Sequence, residues 1–155
     1  MQNNQELIAR FYTAFANHDA KAMSDCYHNE IEFNDPVFGT LIGNEVSAMW
    51  AMLIERSGGD LRIEFSHVEA DKDSGSADWV ATYNFTKTNR KVINKIHAKF
   101  EFKNGLIHKH TDTFDMWKWS KQALGFKGFF MGWTNFMRQK IRQQAAIGLK
   151  NYNQR

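Results

Sequence analysis

Three polar side chains in the stretch GLIHKHTDTFDMWKW, residues 105–119, stand where apolar ones are expected. Read with a period of two, Leu106, His108, His110, Asp112 and Phe114 share one face of a strand, and Ile107, Lys109, Thr111 and Thr113 share the other. The lysine–threonine face suits a solvated sheet surface, so two imidazoles and a carboxylate fall on the face turned to the interior. Such a set has three readings. His110 and Asp112 can satisfy one another as buried polar groups. They can work as an acid–base pair in which the carboxylate orients the imidazole. Or His108, His110 and Asp112 can grip zinc or iron, with His67 or His97 completing the set from a neighbouring strand. Neighbours on one face lie about 6.5–7 Å apart at Cα, close enough for their side chains to lean together. His108, nearest the turn, is also placed to be exposed.

Asp35 precedes Pro36, the only proline, and its bland reading is the first residue of an Asx turn. Trp79 and Tyr83 alternate with Ala81 and Phe85, a core pattern. A buried phenol wants a partner, so Tyr83 is also a candidate donor into a cavity. Met49, Trp50 and Leu53 fall on one stripe of a helix, as pocket wall or as core.

The elements that must position these groups follow from periodicity. Leu7, Ile8, Phe11, Ala14 and Phe15 predict an amphipathic helix over 5–17, and a short second helix follows over 20–27. EIEFNDPVFGTLIG has strand character up to Asp35-Pro36, and a third helix follows over 44–55. After Gly58-Gly59 the period becomes two. DLRIEFSHVEAD puts Leu61, Ile63, Phe65 and His67 on one face, and SADWVATYNFTK and VINKIHAKFEF follow. Asn104-Gly105 is a hairpin signal leading into the strand over 106–114. Asp115 caps a helix ending at Gly125, and a last helix spans 134–149. Helices first and antiparallel strands afterwards make an α+β plan, in which a curved sheet closed by helices leaves a concavity.

Composition narrows the classes. A chain of 155 residues is one domain by size and needs no disulfide, and Cys26 is its only cysteine, which fits a reducing, cytoplasmic setting. The start MQNNQELIARFY reads as no signal peptide, and no run of about 18 apolar residues is present. The net charge of +3 hides an asymmetry, for residues 117–155 carry eight Lys and Arg and no acid. These basic residues are scattered singly without a nucleic-acid motif, so a partner subunit or solvent is expected rather than nucleic acid. Phe126, Phe129, Phe130, Trp133, Phe136 and Met137 in the same segment predict packing on the domain or a subunit contact, with peripheral membrane binding the weaker reading.

ELIARFYTAF, FNDPVFG, IGNEVSAMW and FEFKNGLIHKHTDTFD, in this order over residues 5–116, resemble the nuclear transport factor 2-like superfamily in its SnoaL-like, ketosteroid-isomerase-like branch. The resemblance implies an α+β cone over residues 1–116, three helices in a curved antiparallel sheet around a pocket, with 117–155 as a helical extension. It also implies a homodimer and a small, largely apolar ligand, with no cofactor and no metal. Carried over by position, Asp35 takes the place of the general base, a carboxylate with a raised pKa. The concave face with His110 and Asp112 becomes a pocket floor. Trp50, Tyr83, Phe11, Ala98 and Phe114 then stand as pocket-lining candidates. The two isomerase oxyanion donors fall on Phe11 and Ala98, neither of which can donate, so steroid isomerisation is not expected. What the resemblance supports is a metal-free isomerase, cyclase or hydratase/hydrolase. The alternative is a binding or assembly module on the same fold.

Overall fold

In the computed structural model, which describes residues 3–125 and 135–154, these described residues form five helices and six strands. In order these are α1 (Asn4–Ala16), α2 (Ala20–Asp25), β1 (Tyr27–Asp35), β2 (Gly39–Ile42), α3 (Asn44–Arg56), β3 (Arg62–Ala70), β4 (Ser74–Phe85), β5 (Arg90–Lys103), β6 (Leu106–Thr113), α4 (Met116–Leu124) and α5 (Asn135–Asn153). The strands make one sheet in the order β2-β1-β6-β5-β4-β3. Every pair is antiparallel except β1 with β6, which run parallel.

Local chemistry explains the boundaries. Side chains of Asn3, Asp19 and Asp115 accept from backbone amides at the starts of α1, α2 and α4. Asn104 and Gly105 both hold positive φ, 54° and 75°, as the two-residue turn between β5 and β6 requires. β5 keeps strict alternation, with Val92, Asn94, Ile96, Ala98 and Phe100 inward and Ile93, Lys95, His97, Lys99 and Glu101 outward. α1 lays Leu7, Ile8, Phe11, Tyr12 and Phe15 into the concave face, and α3 adds Val46, Met49, Trp50 and Met52.

Two strands break the period-two reading. On β6, Ile107 is buried, His108 is part-exposed and His110 is buried again, because the pairing with β5 slips between Glu101 and Phe102. The bulge inserts one residue and moves His108 off the concave face. On β3 the pairing slips between Ser66 and Glu69, where His67 adopts φ 53°. His67 is turned out to solvent, 3.1 Å from Asp78, rather than inward beside Phe65.

α4 packs on β5 and begins a second apolar cluster, with Val92, Met116, Trp119 and Ala123 at its centre and Val37, Tyr83, Phe114 and Ile141 around it. α5 seats Leu149 and Tyr152 against the main core, and Arg142 donates from Nε to the Pro36 carbonyl at 2.8 Å. The aromatic segment from Phe126 to Trp133, with the side chains of Phe136 and Met137, lies outside the described residues. No described helix is long and apolar enough to cross a membrane.

Gly75 on β4 sits where α1 and β3 both press close. A Cβ there would lie 2.9 Å from the Glu69 carbonyl oxygen and 2.9 Å from Ile8 Cδ1. Gly75→Ala is expected to destabilise the protein by about 1–3 kcal/mol, read by urea denaturation, because backbone and a packed isoleucine must both move. A variant as stable as the parent would show that this contact is not tight.

Candidate active site

The site begins with a parity match between two parallel strands. Phe33 of β1 pairs with His110 of β6, so Asp35 and Asp112, two residues further on, continue on the same side. On the other flank of β6, Phe100 stands opposite His110 and Ala98 opposite Asp112.

His110 is fully buried in an aromatic box. Its ring centroid lies 4.6 Å from Phe100, 5.1 Å from Phe33, 5.5 Å from Phe11 and 6.0 Å from Trp50. A polar ring in such surroundings must have both nitrogens satisfied. Tyr27 Oη lies 2.8 Å from Nδ1, and Asp112 Oδ1 lies 2.9 Å from Nε2. Trp50 Nε1 donates to the Tyr27 oxygen at 2.9 Å, and Trp79 Nε1 donates to Asp112 Oδ1 at 3.3 Å. An indole nitrogen only donates, so the Tyr27 hydroxyl proton is free to go to Nδ1. The imidazole then carries its proton on Nε2 and gives it to the carboxylate. Burial raises the Tyr27 phenol well above its ordinary range, which keeps that proton on the oxygen.

Asp35 lies at the end of this row, beside the second apolar cluster. Its Oδ1 accepts from the amides of Val37 at 2.9 Å and Phe38 at 2.6 Å, which is the Asx turn expected ahead of proline. The same carboxyl is pushed up to about 7, chiefly by desolvation and further by the charge of Asp112, against the pull of the two amides and of His110. Turn residue and perturbed acid are therefore one group. Among the described residues, hydrogen bonds reach only one of its two oxygens.

The remaining candidates divide. Phe11, Trp50 and Ala98 are buried in the core around His110 and Asp112. Tyr83 accepts from Trp119 Nε1 at 2.7 Å, so its hydroxyl is held by α4. Phe114 packs between the two clusters. Tyr12 is fully buried beside Trp79 and Phe65, and its hydroxyl has no partner among the described residues. His108, turned away by the bulge, cannot join His110 and Asp112 around one ion, and His67 and His97 meet Asp78 on the outer face.

Surface hollows of about 680 and 470 Å³ are lined by residues other than Asp35, His110 and Asp112. Aromatic side chains fill the space above His110. The sequence pattern puts Tyr27 at the end of a helix over 20–27, whereas it opens β1 and partners His110. Its signal was parity, since Tyr27, Ile31, Phe33 and Asp35 are odd-numbered residues of one strand.

Two outcomes test these assignments. Tyr27→Phe leaves the Trp50 indole and His110 Nδ1 unpaired and should cost about 1–3 kcal/mol in urea denaturation. Tyr12→Phe removes an unpartnered hydroxyl and should be neutral or stabilising; the reverse ranking would reject the network. Asp35→Asn keeps an acceptor for both amides but never ionises. The folded carboxyl binds its proton up to about pH 7, against 3.8 for an ordinary one, so the parent loses stability as pH rises between these values. The melting-temperature advantage of Asp35→Asn over the parent should therefore grow across that window, and a pH-independent difference would refute the raised pKa.

The family model described as a SnoaL-like domain matches residues 8–110. No curated protein matches the chain. Among solved structures, Bal32a from a soil-derived mobile gene cassette superposes with a TM-score of 0.69 at 22% identity, over 77% of this chain and 95% of that one. TerC co-crystallised with polyporic acid superposes with a TM-score of 0.66 at 14% identity, over 77% of this chain and 97% of that one. An M. tuberculosis LEH-like epoxide hydrolase gives 0.58 at 19% identity, over 81% and 90%. At these identities the structures establish a common fold. The family match spans the region from α1 to the buried histidine, and the chain belongs to the SnoaL-like domain family.

Proposed function

We propose that this protein is a metal-free acid–base enzyme acting on a small, largely apolar molecule, with Asp35 as the base. The observation that carries the reading is a carboxyl near pKa 7 at the rim of a water-poor aromatic interior, one oxygen fixed by two amides. A base poised near neutrality takes a proton efficiently without being protonated most of the time. The step is proton abstraction from a C–H beside a carbonyl, or from a water attacking an epoxide. The proton goes to Asp35. In the first case the C–H electron pair moves to the carbonyl oxygen as enolate; in the second the water oxygen forms the new C–O bond while the epoxide C–O bond breaks, and the ring oxygen keeps that electron pair and takes a proton from solvent water.

His110 and Asp112 serve this base electrostatically. Both nitrogens of His110 are engaged and its ring is sealed off, so in this arrangement it does not touch substrate. Asp112 raises the affinity of Asp35 for a proton and His110 lowers it. The C-terminal extension lies over the same end of the cone, where Arg142 holds the Pro36 carbonyl and Ile141 meets the cluster around Val37.

The filled interior supports a second reading, a binding or assembly module in which the network only specifies the core. Deuterium exchange separates the two. Wild-type protein should catalyse α-proton exchange of an apolar cyclic β-diketone or β,γ-enone in D₂O, followed by NMR, with a rate that rises with pH to a plateau above about 7. Asp35→Asn should lower the rate by about 10²–10⁴-fold. Equal exchange in the variant removes Asp35 from the chemistry, and no exchange by the wild type favours the module.

A further inference from the structure

The bulge that turns His108 out of the core carries it to β1. Its ring meets that of His28 edge to face, with centroids 5.4 Å apart. Glu30 lies beside them, and one ligand atom from each of His28, Glu30 and His108 falls within 4.8 Å of the other two. We propose that these three side chains bind a late first-row divalent cation, with Zn²⁺ the foremost candidate.

The donor set is the first argument. Two imidazoles and a carboxylate suit zinc, and their nitrogen content favours zinc, copper or nickel over magnesium or calcium. Distance is the second. Donors in a tetrahedral site with metal–ligand bonds of about 2.0–2.1 Å stand about 3.3 Å apart. The set must close by about 1.5 Å, which side-chain rotation supplies, for Glu30 is exposed and both histidines are part-exposed. Backbone placement is the third. Between the pairs Tyr27–Ile107 and Glu32–Lys109, the strand pairing is irregular, so His28 and Glu30 both stand across from His108. A regular parallel ladder would have returned His108 to the inner face.

Two contacts compete with the ion. Lys103 Nζ lies 3.6 Å from Glu30 Oε2, and the Glu30 amide donates to His28 Nδ1 at 3.0 Å. The cation must displace the lysine, and it must either take Nδ1 from the amide or use Nε2 after the ring turns over. Three protein ligands leave a fourth position for water or for a donor in the adjoining hollow, which is lined by His28, Asn29, Asn44 and Ser47.

The test uses untagged full-length protein, stripped with chelator, and Zn²⁺ alone in titration calorimetry. One saturable site is expected. His28→Ala and His108→Ala should each weaken it by about tenfold or more, and Lys103→Met should tighten it. Replacing both His67 and His97 with Ala, which removes the imidazoles around Asp78, should leave it unchanged. Co²⁺ should give the intense visible absorption of four-coordinate cobalt in the parent and lose it in His108→Ala, with circular dichroism confirming that each variant is folded. Absence of binding to the parent, wild-type affinity in His108→Ala, or loss of binding in the His67/His97 double variant overturns the assignment.

Discussion

A buried imidazole sets the terms for this interior. His110 is enclosed by five aromatic rings, and no solvent reaches it. In such a medium an unpaired polar atom is costly, so both ring nitrogens must find partners that are themselves satisfied. The structure answers with a chain running from Trp50 through Tyr27, His110 and Asp112 to Trp79. Its five members come from α3, β1, β6 and β4, so it forms only when helix and sheet are docked in one register. Whatever the protein does, this chain ties the identity of the core to one arrangement.

The same constraint shapes the rim. Asp112 takes hydrogen bonds on the inside while its charge reaches Asp35, which sits where apolar packing gives way to the turn at Pro36. Desolvation dominates the shift at Asp35, and the two amides oppose it without cancelling it. The turn that holds the carboxyl still is therefore also what keeps it out of full hydration. The C-terminal extension adds to this by laying Trp119 on Tyr83 and Arg142 on the Pro36 carbonyl.

Bulges decide where the other histidines go. An antiparallel pair of strands alternates faces only while no extra residue intervenes. One insertion on β6 separates His108 from His110, and one on β3 separates His67 from Phe65. Both displaced imidazoles find acidic neighbours outside, Glu30 in one case and Asp78 in the other. The interior keeps a single histidine, and the surface acquires two histidine–carboxylate groups that no inward-facing pattern would suggest.

The sequence alone determined the α+β plan, the order of elements, the turn at Asp35-Pro36 and the inward placement of His110 and Asp112. Each of these follows from local periodicity or from the backbone demands of proline, asparagine and glycine, which act within a few residues. Only the tertiary structure decided that Tyr27 is the partner of His110, that Phe11 and Trp50 are packed core, and that His108 faces outward. Those outcomes depend on strand register and on long-range aromatic packing. A one-residue slip inverts a face, and no local pattern records that the slip has occurred.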